Sequence, residues 1–216
     1  MKKRGILTSH ELPQWLNAIE EDLHNGDLTY MDYSLFYTTF LLSDRKSETY
    51  ALQWKHIDFA NNKIYIVQAL DRFGNVKSTK GKRKTSFIVS NLLMTILAKW
   101  KEEQKSILKK YKIRQTNKQF VFTFEDRKGG VNKRLHIDYL NYRMKSIERR
   151  HSELAHATPH MLRHTAASLA KLAGYSFSQI SEALTHSDSE TTKGYINVID
   201  TIPKIVEEIA YRNLKK

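Results

Sequence analysis

A segment that begins at Thr158 constrains the fold most, because it divides one helix into a polar and an apolar face. Thr158 and Pro159 are residue types favoured at the N-cap and the first helical position, so a helix is predicted to begin there. Side chains three and four residues apart share a helical face. One face carries His160, Arg163 and His164, and the opposite face carries Leu162, Ala166 and Leu169. We therefore expect this helix to cover a core and to present basic groups away from it.

The charge balance indicates a polyanionic partner. Thirty-six Lys and Arg residues against 23 Asp and Glu residues give a net charge of +13 in 216 residues. A compact domain this basic usually binds a polyanion, and nucleic acid is the commonest one. Ribosomal, membrane-surface and heparin-binding proteins share this property, so charge alone leaves the partner open.

Composition also excludes several classes of protein. The chain has no cysteine, which excludes disulfides, thiolate zinc sites and cysteine nucleophiles. No apolar stretch approaches the length of a membrane span, and no apolar segment follows the basic start as in a signal peptide. We expect a cytoplasmic protein without membrane contact. At this length, 1–216 is expected to form a single domain.

The local pattern predicts a mainly α protein with a small antiparallel β-sheet, in the α+β class. Thr8 and Glu11 form a Thr-x-x-Glu capping box, which predicts that the first helix begins near residue 9. Further helices are expected over 29–42, 46–54, 92–110, 135–150, 159–173 and 202–214, with another opened by Ser176. A strand over 63–69 and an apolar run over 87–89 form a hairpin-like unit across 77–84. Residues 120–124 are either a short strand or a buried loop.

His160 and His164 have the spacing of a helical zinc site, but the rest of such a site is missing. Met161 stands where a metalloprotease motif carries its glutamate base. Because there is no cysteine, a third ligand would have to be a remote His, Asp or Glu. We expect no metal and no other cofactor.

Two motifs resemble the conserved boxes of the tyrosine recombinases, the phage-integrase family. The second box is similar to His160-x-x-Arg163 followed by the pattern Leu184-x-His186-Ser187-x-x-x-Thr191-Thr192-x-x-Tyr195. The first box is similar to Arg45-Lys46-Ser47-Glu48-Thr49-Tyr50-Ala51-Leu52-Gln53-Trp54. The resemblance covers roughly residues 30–200 and implies the catalytic-domain fold of that family. It implies site-specific DNA recombination or integration, as in mobile elements, through a 3′-phosphotyrosine intermediate.

The resemblance also implies a role for each site residue. Arg45 and Arg163 would bind the non-bridging phosphate oxygens, and Tyr195 would attack the phosphorus. His160 would either donate a hydrogen bond or accept the tyrosine proton, and His186 would donate to the phosphate. Glu48 and His164 would support the site.

The family's general acid is a lysine on a β-hairpin between the boxes. Lys80, followed by Gly81 and nine residues before Val89, best matches the family's spacing. Lys77 and Lys82 remain alternatives, because the register of a hairpin is easily misjudged.

Double-stranded DNA is the partner that the resemblance implies. The basic residues expected to contact it are Lys77, Lys82, Arg83, Arg143 and Arg149. The C-terminal helix over 200–216 would either dock onto a neighbouring subunit of a tetramer or pack within its own chain. Residues 1–8 are similar to a linker, and the family's N-terminal core-binding domain is expected to be absent from this chain.

The chain departs from the family pattern at two positions. Thr185 stands where glycine usually precedes the histidine, and Asp44 stands where a small or apolar residue usually precedes the arginine. Two other functions stay open. One is a type IB topoisomerase-like nicking and closing enzyme, and the other is a non-catalytic DNA-binding protein with a helix-turn-helix over 176–192.

Overall fold

The computed structural model describes residues 5–79, 85–126 and 128–172. Its helices are α1 (Glu11–Asn25), α2 (Tyr30–Leu42), α3 (Lys46–Thr49), α4 (Asn91–Lys110), α5 (Tyr139–Arg150) and α6 (Pro159–Leu172). Its strands are β1 (Ile57–Asp58), β2 (Lys63–Ile66), β3 (Gln68–Leu70), β4 (Val76–Ser78), β5 (Thr85–Ile88), β6 (Thr123–Phe124) and β7 (Lys133–Arg134). Within these ranges, no helix combines the length and the apolar character that crossing a bilayer requires.

Helix α2 forms the centre of the core. Every residue from Met31 to Leu42 is buried, and the helix contacts α1, α3, α4, α5 and α6. A helix that is apolar on all sides is stable only when other elements surround it. Two of its hydroxyl groups bond to its own backbone: Ser34 donates to the Tyr30 carbonyl and Thr38 to the Ser34 carbonyl, each at 2.7 Å.

The expected helix boundaries are largely confirmed. Thr8 and Glu11 exchange both hydrogen bonds of the predicted capping box, at 2.7 and 3.2 Å. Gly26 ends α1 in the left-handed conformation with φ 79°. Thr29 caps α2, and the Thr158 hydroxyl accepts from the Met161 N–H at 3.2 Å at the start of α6. Short-range chemistry is sufficient to define these ends.

The strands are shorter than expected and form three small antiparallel sheets among the described residues. The predicted strand 63–69 is two strands, of which β2 pairs with β1 and β5, and β3 pairs with β4. The Gln68 amide donates to the Ala51 carbonyl at 2.7 Å, which attaches β3 to the chain beyond α3. The single hairpin expected here is therefore two nested pairs of strands, with β3 and β4 lying between β2 and β5 in the sequence.

Two helix predictions were wrong at their ends. The helix expected over 46–54 ends at Thr49, because the chain beyond it pairs with residues 117–121. The Leu52 carbonyl accepts from the Val121 N–H at 2.9 Å, and the Trp54 N–H donates to the Gln119 carbonyl at 3.1 Å. The helix expected from residue 135 begins at Tyr139, because Lys133 and Arg134 pair with β6 just before it. Of residues 120–124, only Thr123 and Phe124 form a strand, which is β6.

An ion pair with a buried carboxylate fixes the segment that leads into α6. Asp22 of α1 is 1% exposed and accepts from Arg150 Nε at 3.0 Å and from Arg150 Nη2 at 2.6 Å. His151 Nε2 lies 2.9 Å from the same carboxylate. Burial acts to raise the pKa of Asp22, but the bonds from Arg150 and His151 outweigh it and hold that pKa below its ordinary value. Trp15 adds a bond to the Ala155 carbonyl at 2.9 Å.

Asp22→Asn is expected to lower the free energy of unfolding by about 2 kcal/mol at neutral pH, because Arg150 loses its ionic partner. The wild-type advantage should be present above the ordinary carboxyl pKa of 3.8 and disappear as pH falls through the lower folded pKa. Urea unfolding followed by circular dichroism measures both effects. Arg149→Ala, at the exposed neighbouring arginine, serves as the control and should change stability by less than about 0.5 kcal/mol. Equal losses in both variants would contradict the role of the ion pair.

Candidate active site

The chain turns sharply where α2 gives way to α3, and this turn positions Arg45. Ser43 adopts the left-handed conformation with φ 50°, and its N–H and hydroxyl both donate to the Phe40 carbonyl. Arg45 follows in an extended conformation as the N-cap of α3. Its side chain is 40% exposed at the edge of the core.

Glu48 contacts Arg45 through both carboxylate oxygens. Oε2 accepts from the Arg45 backbone N–H at 3.3 Å, and Oε1 accepts from guanidinium Nη1 at 3.5 Å. Both distances are at the long end of the range for hydrogen bonds. The Glu48 side chain is only 3% exposed, so it supports the arginine from the protein side.

Asp44 lies beside the same two residues and is buried. Its Oδ1 accepts from the Arg45 N–H at 2.8 Å. Burial, the contact with the Glu48 carboxyl and the charge of that carboxyl raise the pKa of Asp44 well above its ordinary value, while Arg163 acts in the opposite direction. Arg45 from the first box thus contacts this buried acid through its backbone, and the charge of Arg163 from the second box acts on it.

In the sequence, Asp44 stands out only as a departure from the family pattern, and the resemblance implies no role for it. The available signal was the arrangement Asp44-Arg45-x-x-Glu48, which places an acid on each side of the arginine. That pattern alone could not indicate that both acids would be buried.

Helix α6 has the expected division into two faces. Leu162 and Ala166 are fully buried and Leu169 is 7% exposed, whereas His160 and His164 are exposed and Arg163 is half-buried. The rotation of the helix is fixed by Thr165, whose hydroxyl donates to the Met161 carbonyl at 2.8 Å and accepts from the Leu7 N–H at 2.9 Å.

The two histidines of α6 contact each other directly. Their Nε2 atoms are 2.8 Å apart, and the rings are nearly perpendicular with centroids 4.3 Å apart. One nitrogen must donate and the other accept, so the contact cannot form between two fully protonated rings. Burial and the nearby His160 and Arg163 lower the pKa of His164. No three potential metal ligands gather anywhere in the described ranges.

The residues expected to contact DNA have different surroundings. Lys77 on β4 and Arg149 on α5 are exposed. Arg143 is engaged within the protein: its Nε lies 3.3 Å from the buried Asp32 carboxylate, and its Nη2 donates to the Tyr139 hydroxyl at 3.1 Å. Its side chain still exposes 44% of its surface.

Several predicted site residues lie outside the described residues. These are the general-acid candidates Lys80 and Lys82, Arg83, and the second-box residues His186 and Tyr195. The segments over 176–192 and 200–216 also lie outside. The described structure therefore joins Arg45 to Glu48, lets the charge of Arg163 act on the adjacent Asp44, and places His160 and His164 on the same helix as Arg163.

The sequence pattern that defines the phage integrase family matches residues 6–201. The chain therefore belongs to the phage integrase family. No curated protein sequence matches it at a significant level.

Solved structures confirm the expected fold. The XerA recombinase superimposes with a TM-score of 0.61 at 18% identity, covering 92% of this chain and 62% of XerA. The Tn1549 transposon integrase in complex with a circular intermediate DNA superimposes with a TM-score of 0.65 at 20% identity, covering 90% of this chain and 62% of the integrase chain. XerH bound to its difH substrate in a pre-cleavage complex superimposes with a TM-score of 0.62 at 20% identity, covering 90% of this chain and 50% of XerH. The chain thus spans between 50% and 62% of the length of these proteins.

His160→Gln is expected to raise the pKa of His164 toward the ordinary histidine value, because a nearby group that can carry positive charge is removed. A titration followed by NMR of the His164 ring measures this shift. His10→Gln, at an exposed histidine before α1, is the control and should leave the titration of His164 unchanged. An unchanged His164 titration in His160→Gln would show that the two rings are not coupled.

Proposed function

We propose that this chain carries the catalytic part of a site-specific DNA recombinase that cleaves and rejoins DNA through a phosphotyrosine. The observation that carries this proposal is the buried Asp44: its carboxylate accepts from the Arg45 backbone N–H, and the charge of Arg163, more than 100 residues away in sequence, acts on the same carboxyl. The match to the phage integrase family spans both motifs. This arrangement suits a single phosphate better than separate surface contacts.

The two arginines would bind the non-bridging oxygens of the scissile phosphate. Guanidinium groups are planar and permanently charged, and they match the geometry of phosphate oxygens. Their support from buried acids fixes them before the substrate arrives, so they can stabilise the negative charge that develops during attack. This electrostatic stabilisation would be the largest contribution to the rate.

Strand cleavage would then follow without loss of phosphate-bond energy. The Tyr195 oxygen forms a bond to phosphorus as the bond to the 5′ oxygen breaks, and Lys80 donates a proton to that leaving oxygen. His160 would accept the tyrosine proton or donate a hydrogen bond, and His186 would donate to the phosphate. His160 Nε2 is already in contact with His164, which orients the ring. Attack by another 5′-hydroxyl reverses the step and joins the exchanged strand.

The proposed partner is double-stranded DNA, and two of the similar structures hold DNA by their descriptions. Lys77 and Arg149 are the described candidates with exposed side chains, alongside Lys82 and Arg83. Arg143 is the weakest candidate, because Asp32 already binds it. Assembly as a tetramer through the segment over 200–216, and action in the cytoplasm, belong to the same proposal.

Tyr195→Phe is expected to abolish a covalent protein–DNA adduct, because the ring keeps its shape but loses the attacking oxygen. The assay uses nicked suicide duplexes tiled across the DNA around the coding sequence, with adducts detected on denaturing gels. Tyr142→Phe is the matched control, since Tyr142 is a 60% exposed tyrosine on α5. It should form adduct as the wild type does.

The same assay separates the alternative functions. No adduct on any duplex with the wild type would overturn the enzymatic proposal and favour a non-catalytic DNA-binding protein. Relaxation of supercoiled plasmid by a monomer, without a preferred site, would favour a topoisomerase. Strand exchange between two cleaved sites supports the recombinase.

Arg163→Ala is expected to slow single-turnover cleavage by about 10²-fold or more, because one phosphate donor is lost. Binding to DNA should weaken by no more than about threefold, since one contact among many contributes little to affinity. Arg149→Ala is the comparison: it should weaken binding by a similarly small factor while preserving the cleavage rate at saturating DNA. Equal loss of binding and cleavage in Arg163→Ala would contradict a catalytic role.

A further inference from the structure

Two carboxyl groups are buried in contact beneath the arginines of the site. Asp44 and Glu48 are each 3% exposed, and their side chains lie within hydrogen-bonding reach of each other. Two ionised carboxylates in such a place repel each other strongly, and this repulsion is relieved when one of them keeps a proton. A single shared proton would leave the pair with one negative charge.

The surrounding bonds indicate which oxygen holds the proton. Glu48 uses both oxygens to accept from Arg45, which favours its ionised form. Asp44 Oδ1 accepts from the Arg45 N–H, whereas Oδ2 is buried and has no donor among the described residues. A proton on Oδ2 turns the contact with the Glu48 carboxyl into a hydrogen bond and removes the unsatisfied atom.

We propose that Asp44 is a positioning residue that acts in its neutral form, donating a hydrogen bond to Glu48 so that the pair orients Arg45 and faces Arg163 with a single negative charge. This inference rests on the proposed function. Two arginines against one negative charge leave a net positive charge for a phosphate. Two ionised acids would neutralise both guanidinium groups and compete with DNA for them.

The first test compares Asp44→Asn with Asp44→Ala in single-turnover cleavage. Asparagine keeps the acceptor for the Arg45 N–H and offers an amide hydrogen to Glu48, whereas alanine keeps neither. Asp44→Ala is expected to cleave about tenfold more slowly with an unchanged affinity for DNA, and Asp44→Asn should restore the rate to within about threefold of the wild type. If asparagine is as slow as alanine, the charge of Asp44 matters rather than its proton, and the proposal is wrong.

The second test measures the shared proton without any DNA, by thermal unfolding between about pH 3 and about pH 8. Charged groups facing Asp44 are Glu48 and Arg45 at the start of α3 and Arg163 on α6. Below pH 3.8, which is the ordinary pKa of an aspartate carboxyl, Asp44 is protonated in both the folded and the unfolded chain. As pH rises, only the unfolded chain releases the proton, so the wild type loses stability relative to Asp44→Asn.

The expected result is a melting temperature of Asp44→Asn that rises relative to the wild type as pH increases. Asp22→Asn is the matched control at another buried acid, and its melting temperature should fall relative to the wild type over the same range, because the pKa of Asp22 is lowered. If the difference in melting temperature between Asp44→Asn and the wild type does not change with pH, the idea of a shared proton is wrong. Failure of the wild type to form any DNA adduct would overturn the proposed function and leave this unfolding test still decisive for the proton.

Discussion

The complete burial of α2 is the constraint on which the rest of the structure depends. Because five other helices surround it, the chain has to leave this helix inside the protein rather than at the surface. Ser43 makes that exit with a left-handed turn, and Asp44 and Glu48 consequently lie in the core. Buried acids require partners, and Arg45 provides one directly at its backbone and its guanidinium. The core thus determines where the first arginine of the site is held.

The charge of the site follows from the same burial. An exposed pair of acids would remain ionised, would be solvated by water and would provide little orientation to a mobile arginine. Buried acids interact strongly with nearby charges, so their number and protonation determine how much positive charge remains for a phosphate. The contact between His160 and His164 needs one nitrogen to accept, so it forms only when at least one of the two rings is neutral. Permanent charge is thereby concentrated in the arginines, which do not titrate in the physiological range.

Local chemistry made much of this fold predictable. The capping box at Thr8 and the Thr158-Pro159 start act over a few residues, and their hydrogen bonds are present in the structure. Errors arose where distant segments compete for the same backbone. α3 is shorter than its pattern indicates because residues 117–121 bind the chain at Leu52 and Trp54. Arg143 and Arg149 are alike in sequence, yet a buried aspartate on α2 engages only the first of them in this way. No periodicity reveals that difference.

The orientation of α6 depends on segments far outside both sequence motifs. Leu7 binds Thr165 on the helix itself, while α1 holds the preceding segment through Asp22 and Trp15. These contacts join residues at least 128 positions apart in sequence. If they loosened, α6 could rotate on its apolar face, and Arg163 would turn away from Asp44 without any change in the motif. The motif therefore specifies the proposed reactive groups, whereas residues 7–25 hold α6 in the orientation that a shared phosphate would require.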